Sequence, residues 1–173
     1  STERAMKANT DGSFAWEIAP VTVTGKGGEV KIDKDEQPFK AKLDKIPGLK
    51  PAFKKDGTIT AANASSISDG ASALLLMSAA QAQAKSLKPM ARMLAHTRHS
   101  QAPGEFTIAP IGAIRKLLAK TGWTVDDVDL FEINEAFAMV TMMAMEDLGL
   151  DHDKVNVNGG ACAQGHPIGS TGS

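Results

Sequence analysis

Apolar and polar positions follow two different periods along the chain, which predicts helices interleaved with short strands. Residues 111–120 show the helical period, with apolar side chains on one stripe at Ile111, Ile114, Leu117 and Leu118. Residues 135–148 carry a second apolar stripe, and residues 2–9 resemble the last turns of a helix. Residues 71–84 are rich in alanine and leucine and apolar nearly all round, which predicts a buried helix.

Short segments rich in β-branched or apolar residues predict strands between these helices. They are residues 16–24, 29–33, 89–99, 130–133 and 155–157. Strands that alternate with helices are typical of α/β layers, so the predicted fold class is α/β.

Two further local patterns qualify this picture. Residues 34–55 are charged and contain three prolines, which predicts a loop with a short helix near residues 40–46. Thr124 and Asp127 stand at the spacing of a helix cap, and Trp123 can pack onto Val128, so a helix is predicted to start there.

Composition and charge exclude several classes of protein. The 42% hydrophobic and 23% charged content are those of an ordinary globular chain, and 173 residues can bury one good core. A net charge of −1 gives no electrostatic case for nucleic acid or an anionic membrane. No apolar run approaches the roughly 20 residues of a membrane span. A single cysteine fits a reducing compartment, so a cytoplasmic location is expected.

Cys162 and His166 suggest a catalytic pair, but spacing weakens that hypothesis. Positions four apart in an extended loop lie ~13 Å apart, so only a tight turn brings such side chains together. A nucleophilic thiol also needs a lowered pKa, and free cysteine is often simply buried. The same glycine-rich loop lacks the lysine of a Walker phosphate loop. His96 and His99 have no third ligand nearby, so no metal site is predicted.

Asn134 and His166 are the stronger candidates because each follows a predicted strand. Open α/β sheets bind ligands at the carboxyl ends of their strands. Asn134 is equally suited to be a plain helix N-cap, and the residues alone leave that choice open. A histidine in the Gly-Pro loop around His166 is available to donate to a developing oxyanion. Two such groups at neighbouring strand ends would make a site.

Three motifs of the chain together resemble the thiolase family, which includes acetyl-CoA acetyltransferases and 3-ketoacyl-CoA thiolases. They are Asn-Glu-Ala-Phe-Ala at 134–138, Asn-Gly-Gly-Ala-Cys-Ala-Gln-Gly-His-Pro-Ile-Gly at 158–169, and the stretch 49–65 followed by Asp69-Gly70. The resemblance covers all 173 residues and implies a fragment, the middle and later part of a subunit about twice this length. The chain also begins without methionine, as expected of a piece.

The resemblance implies a fold of two similar α/β halves in stacked layers, an αβαβα arrangement that forms homodimers or homotetramers. Residues 1–66 would be the second half of the lid domain. Residues 67–90 would end the N-terminal half, and residues 91–173 would open the C-terminal half.

The resemblance also implies the chemistry. Thiolases split a 3-ketoacyl-CoA with coenzyme A, or condense two acetyl-CoA molecules to acetoacetyl-CoA, through an acyl-cysteine. His166 would activate the nucleophile and bind the thioester oxygen, and Asn134 would hold the water that completes the oxyanion hole. The family's two catalytic cysteines match no position here, so this piece alone is expected to be inactive. Coenzyme A is a substrate, and no cofactor is expected.

Further residues fall on the family's coenzyme A contacts. Ser65, Ala61 and Phe53 would contact coenzyme A, and Ala136 and Phe137 would line the floor near the acyl group. Phe53 as lid core and Ser65 as a helix cap remain the alternatives. Cys162 takes a position that is usually aliphatic in the family, which indicates packing. Many relatives carry arginine near the 3′-phosphate, where this chain offers only Lys40 or Lys42.

Two alternative functions remain open on the sequence. One is a thiolase of fatty-acid breakdown that prefers longer acyl chains. The other is a non-catalytic thiolase-like protein that binds coenzyme A esters or lipid. Asn134 and His166 favour catalysis over the second alternative.

Overall fold

The computed structural model describes residues 1–172, in which short helices and irregular segments surround one small core. In chain order the elements are α1 (Thr2–Thr10), β1 (Val21–Gly25), β2 (Gly28–Ile32), α2 (Gln37–Lys40), a 3₁₀ helix (Leu43–Gly48), α3 (Ala79–Ala84), a 3₁₀ helix (Pro103–Ile108), α4 (Ala109–Thr121), α5 (Ala138–Leu148), a 3₁₀ helix (His152–Lys154) and α6 (Ala161–Gln164). None of the helices in this part of the chain has the length and apolar character needed to cross a bilayer.

β1 and β2 form an antiparallel hairpin whose register places its aliphatic residues on one face. Val21 lies opposite Ile32 and Val23 opposite Val30, while threonine, lysine and glutamate occupy the other face. The first strand begins only after Pro20, because proline has no N–H to give to a strand ladder. The predicted strands 16–24 and 29–33 are therefore found in shortened or shifted form.

The core lies where α4 and α5 pack on two short extended segments. Its buried members are Ile111, Phe131, Ile133, Val140, Ala144, Leu150 and Val155. The two segments run parallel and meet in a single bridge between Phe131 and Val155. The N–H of Phe131 donates to Lys154 O at 2.8 Å, and Asn156 N–H donates to Phe131 O at 2.9 Å. The predicted strands around these residues are thus neighbours, though too short to be full strands.

The two longest helices match the hydrophobic pattern that predicted them. α4 extends the predicted range by a few residues and ends at Gly122, and α5 ends at Gly149. Both glycines adopt the left-handed backbone conformation, with φ of 74° and 67°. This conformation favours glycine and ends a helix. α5 begins three residues later than predicted because the backbone before it pairs with Ala64 through Phe137.

The predicted helix over residues 71–84 is wrong in its first half. Only Ala79–Ala84 is helical, starting at Ser78, whose hydroxyl accepts from Gln81 N–H at 3.2 Å. Leu74, Leu75 and Leu76 belong to no helix or strand and are 68%, 84% and 73% exposed. A continuous apolar run suits a buried strand as well as a buried helix, so its composition alone does not establish a helix.

Two other predicted elements are absent from residues 1–172. Residues 89–99 form no regular strand. The Asp127 carboxylate accepts from both Thr124 N–H and Oγ1 at 2.8 Å. The bond to Thr124 N–H is one half of a capping box, but the Thr124 hydroxyl donates to the carboxylate instead of accepting from a helix N–H. These bonds close a turn, and no helix follows, so the predicted helix start is wrong.

Candidate active site

The three motifs of the sequence meet at one place in the structure, with residues 63–67 in the middle. On one side, Ser65 N–H donates to Ala136 O at 2.9 Å, and Ala64 pairs antiparallel with Phe137. On the other side, His166 N–H donates to Ser66 O at 2.9 Å. The middle segment therefore holds the two motif loops side by side by backbone bonds.

Asn134 and His166 contact each other across this junction. Asn134 Nδ2 lies 3.4 Å from His166 Nε2. Asn134 is exposed and His166 is partly exposed, so the pair faces solvent and is open to a ligand. The other ring nitrogen of His166, Nδ1, lies 2.8 Å from Thr171 Oγ1. Both ring nitrogens thus have defined polar partners.

A buried asparagine fixes the backbone just before Asn134. Asn156 Oδ1 accepts from Ile133 N–H at 2.8 Å, and Asn156 Nδ2 donates to Ile133 O at 2.9 Å. Asn156 itself has a φ of 46°, in the left-handed region that asparagine tolerates better than most residues. Sequence reasoning did not identify this residue, because its partner lies 23 positions away.

A buried carboxylate fixes the backbone just after Asn134. Glu135 is only 7% exposed. Its Oε2 accepts from Ser1 Oγ at 2.8 Å and from Cys162 N–H at 3.2 Å. Gly160 makes room for it, since a Cβ there would stand 2.5 Å from Glu135 Oε2. Hydrogen bonds and close packing therefore hold Glu135 against the glycine-rich loop that leads to His166. The sequence motif alone did not predict this structural role of Glu135.

Cys162 is a packing residue in this structure. It is 9% exposed, and its Sγ donates to Glu135 O at 3.4 Å. Burial, followed by the charge and hydrogen bond of Glu135, raises the pKa of the Cys162 thiol to about 12. Because the thiolate is the nucleophilic form, this thiol is unreactive at neutral pH.

Of the residues expected to contact coenzyme A, only some lie where the three motifs meet. Ser65 adjoins Ala136 and Phe137, as described above, and no helix starts at Ser65 in the structure. Ala61 is exposed in the turn before this segment. Phe53 is 77% exposed, so it is not a core residue.

Two further contacts modify the sequence-based expectations about substrate binding. The Phe106 ring lies against Phe137, with centroids 6.1 Å apart and planes tilted by 58°. Lys40 Nζ lies 2.7 Å from Glu36 Oε2, which also lowers the pKa of that carboxyl. Lys40 is therefore partly neutralised, whereas Lys42 has no ion pair within residues 1–172.

Metal-ligand side chains do not cluster in the part of the chain that the structure describes. His96 is exposed, while the His99 ring lies against Gly112, where an added Cβ would meet it at 2.5 Å. The Nδ1 atom of His99 is buried and has no hydrogen-bond partner. This histidine is therefore packed, not solvated as a surface residue would be.

Comparison with known proteins places this architecture in a family. The model of the N-terminal domain of thiolase matches residues 1–80, and that of the C-terminal domain matches residues 87–173. The crystal structure of the Bacillus anthracis acetyl-CoA acetyltransferase superposes with a TM-score of 0.95 at 45% identity, over 99% of this chain. The chain belongs to the thiolase family.

Relatives with curated names agree with this membership. A probable acetyl-CoA acetyltransferase of Dictyostelium discoideum is 51% identical over 98% of this chain, and the cytosolic acetyl-CoA acetyltransferase of Mus musculus is 44% identical over 99%. The Ascaris suum thiolase Acat5, solved with coenzyme A, superposes with a TM-score of 0.88 at 38% identity. The chain spans 41% and 44% of the length of the two curated relatives.

Proposed function

We propose that this chain is the part of an acetyl-CoA acetyltransferase that supplies the oxyanion hole and part of the coenzyme A site. The complete protein would condense two acetyl-CoA molecules to acetoacetyl-CoA and coenzyme A, and would run the reverse thiolysis. The observation that carries the proposal is the 3.4 Å contact between Asn134 Nδ2 and His166 Nε2. The names of the relatives described above support the choice of reaction.

The proposed chemistry uses one ring nitrogen in two steps. His166 Nε2 takes the proton of an attacking thiol, whose sulfur then bonds to the thioester carbon. The new Nε2–H can donate to the thioester oxygen on which negative charge develops, and Asn134 holds a water that donates to the same oxygen. When the carbonyl group re-forms, the bond from this carbon to the coenzyme A sulfur breaks, and the leaving thiolate takes the proton back from Nε2. Preorganised donors of this kind are worth about 3–4 kcal/mol each in the transition state.

The nucleophile in this proposal is not Cys162. The chain contains no other cysteine, and this one is buried with a raised thiol pKa. The acyl-carrying cysteine and the cysteine that exchanges the α-carbon proton would be supplied by other segments of the complete protein. The 173-residue chain by itself would therefore lack activity.

The proposed substrate carries a short acyl group. Phe137 is expected to line the floor near the acyl group, and the Phe106 ring fills space directly beside it. This observation favours acetoacetyl-CoA over longer 3-ketoacyl-CoA substrates. The proposed partners are thus acetyl-CoA, acetoacetyl-CoA and coenzyme A, in a cytoplasmic homo-oligomer without a further cofactor.

The test is a substrate comparison on the protein expressed from its complete gene. We expect coenzyme A-dependent thiolysis of acetoacetyl-CoA, with kcat/KM well above that for a 3-ketoacyl-CoA of ten or more carbons. A preference for the long substrate would support the fatty-acid alternative. Tight binding of coenzyme A esters without turnover would support a non-catalytic carrier and contradict the proposal.

A further inference from the structure

We infer that Thr171 is a positioning residue that fixes the tautomer of His166, with the proton on Nδ1 and the lone pair of Nε2 facing Asn134. The inference rests on the proposed function, because it assigns how the His166 ring is prepared for proton transfer. Thr171 itself would touch no reacting atom.

The first argument is the hydrogen-bond geometry of the threonine hydroxyl. Thr171 Oγ1 lies 2.8 Å from His166 Nδ1 and 3.0 Å from Pro167 O. A hydroxyl has one proton, and a carbonyl oxygen can only accept. When the hydroxyl donates to Pro167 O, its lone pairs face Nδ1, which must then carry a hydrogen.

The second argument comes from the opposite side of the ring and points to the same tautomer. His166 Nε2 faces the amide nitrogen of Asn134 at 3.4 Å. An amide nitrogen is a donor only, so its favourable partner is an unprotonated Nε2. A proton on Nε2 would instead place two N–H groups against each other. Two contacts with different residues therefore select the same arrangement.

The backbone holds Thr171 in place for this task. Ser170 N–H and Thr171 N–H both donate to Pro167 O, at 2.8 Å and 3.0 Å. These bonds close a tight turn directly after His166 and return the Thr171 side chain to the ring. In the competing arrangement, the hydroxyl leaves the already bonded Pro167 O and donates to Nδ1, which would put the ring proton on Nε2.

The arrangement suits the proposed reaction in both protonation states of the ring. In the neutral ring, Nε2 is free to accept the thiol proton. In the imidazolium ion both nitrogens are donors, and Thr171 Oγ1 remains an acceptor for Nδ1–H. Removing the hydroxyl would therefore destabilise the charged ring and release the neutral ring to adopt either tautomer.

The test compares Thr171→Val, which removes the hydroxyl at similar size, with Thr171→Ser, which retains it, in the protein expressed from its complete gene. Nitrogen-15 NMR of histidine-labelled protein reads the tautomer, and the His166→Gln variant identifies the His166 signals by their loss. We expect protonated Nδ1 in the unchanged protein and in Thr171→Ser, and a tautomer mixture in Thr171→Val.

The kinetic readout is the pH profile of acetoacetyl-CoA thiolysis. For Thr171→Val we expect kcat to fall at least about tenfold, since general acid–base catalysis contributes ~10²–10⁴. The pH profile should also change, because the His166 ring no longer has the Thr171 hydroxyl as a fixed hydrogen-bond partner. Thr171→Ser should keep the profile, and KM should change little in either variant.

Two results would overturn the inference: a proton on Nε2 in the unchanged protein, or a Thr171→Val variant with unaltered kcat and pH profile. The spectrum of the unchanged protein decides the tautomer even when Thr171→Val fails to fold. Protonated Nδ1 in a protein without thiolase activity would support the positioning of the ring and contradict the proposed function alone.

Discussion

Asn156 holds Ile133 by both of its backbone polar groups, accepting from the N–H at 2.8 Å and donating to the C=O at 2.9 Å. Both residues are buried, so neither backbone group of Ile133 has water as an alternative partner. The residue that follows is Asn134. The position of an exposed candidate site residue is thus fixed by a buried amide on the neighbouring segment.

Replacing this amide is predicted to loosen the site and the core together. Asn156→Ala leaves two buried backbone groups of Ile133 unpaired, at about 1–3 kcal/mol each. Asn156→Asp keeps the acceptor but loses the donor and buries a carboxylate against the Ile133 C=O, so it should also be destabilising at neutral pH. Chemical denaturation measures both. Equal stability of Asn156→Ala and the unchanged protein would show that the two hydrogen bonds between Asn156 and Ile133 do not stabilise the fold.

The lack of space for a side chain at Gly160 provides a second prediction. An added methyl group would stand 2.5 Å from Glu135 Oε2 and 2.9 Å from Asn156 Nδ2, both in buried, hydrogen-bonded groups. Gly160→Ala is therefore expected to destabilise the protein by about 1–3 kcal/mol, the usual range for overpacking. Gly104→Ala is the matched control, because nothing lies within 4 Å of its Cβ position. Thermal unfolding of both variants tests the difference.

How far the sequence predicts this architecture depends on the range of the interactions involved. α4 and α5 follow from their local apolar stripes and terminal glycines, and both are found. The helix predicted over residues 71–78 is absent, because an apolar run without a clear period does not distinguish strand from helix. Thr124 and Asp127 form one of the two bonds of a capping box without a helix, since a cap cannot supply the packing that a helix needs.

For the site, the sequence indicated Asn134 and His166 but not the residues that hold them. Asn134 was predicted from its place after a strand, which is a local signal. Asn156 and Glu135 act on partners 23 and 27 positions away, and no local pattern marks such pairs. Thr171 lies close in sequence to His166, and a hydroxyl near a candidate histidine could have suggested it.

The raised pKa of Cys162 leads to a prediction about reactivity. Its thiol should resist alkylation in the folded protein at pH 7–9 and react once denaturant exposes it. The folded pKa of about 12 lies above the ordinary value of 9.0 for a cysteine thiol, so the protonated thiol stabilises the fold. That contribution is complete below pH 9 and is lost as pH rises towards 12.

Mass analysis of the modified peptides measures this reactivity. The Cys162→Ala variant gives the background, and Cys162→Ser tests whether the buried position tolerates a hydroxyl. Acetylation of Cys162 after mixing with acetyl-CoA would contradict both its packing role and the proposal that the nucleophile lies elsewhere.

Lys40 and Lys42 give a prediction about the 3′-phosphate of coenzyme A in the proposed function. Lys40 is paired with Glu36 at 2.7 Å, whereas Lys42 keeps its charge available. Lys42→Ala should therefore raise KM for coenzyme A more than Lys40→Ala, with kcat unchanged, as expected for loss of uniform binding.

The substrate lacking the phosphate provides the control for this pair. With 3′-dephospho-coenzyme A, the difference between the two variants should disappear. An equal rise in KM for both lysines, or one that persists with the dephosphorylated substrate, would rule out a specific phosphate contact at Lys42.

The most direct test of the account is a double-mutant cycle on Asn134 and His166 in the protein expressed from its complete gene, read as kcat for acetoacetyl-CoA thiolysis. Asn134→Ala should lower kcat by about 10²–10³, the usual effect of losing one oxyanion donor. His166→Gln should lower it at least as much, and the double variant little further, because the two residues act as a unit. Near-wild-type kcat in Asn134→Ala, or losses that simply multiply, would contradict a shared oxyanion hole at this contact.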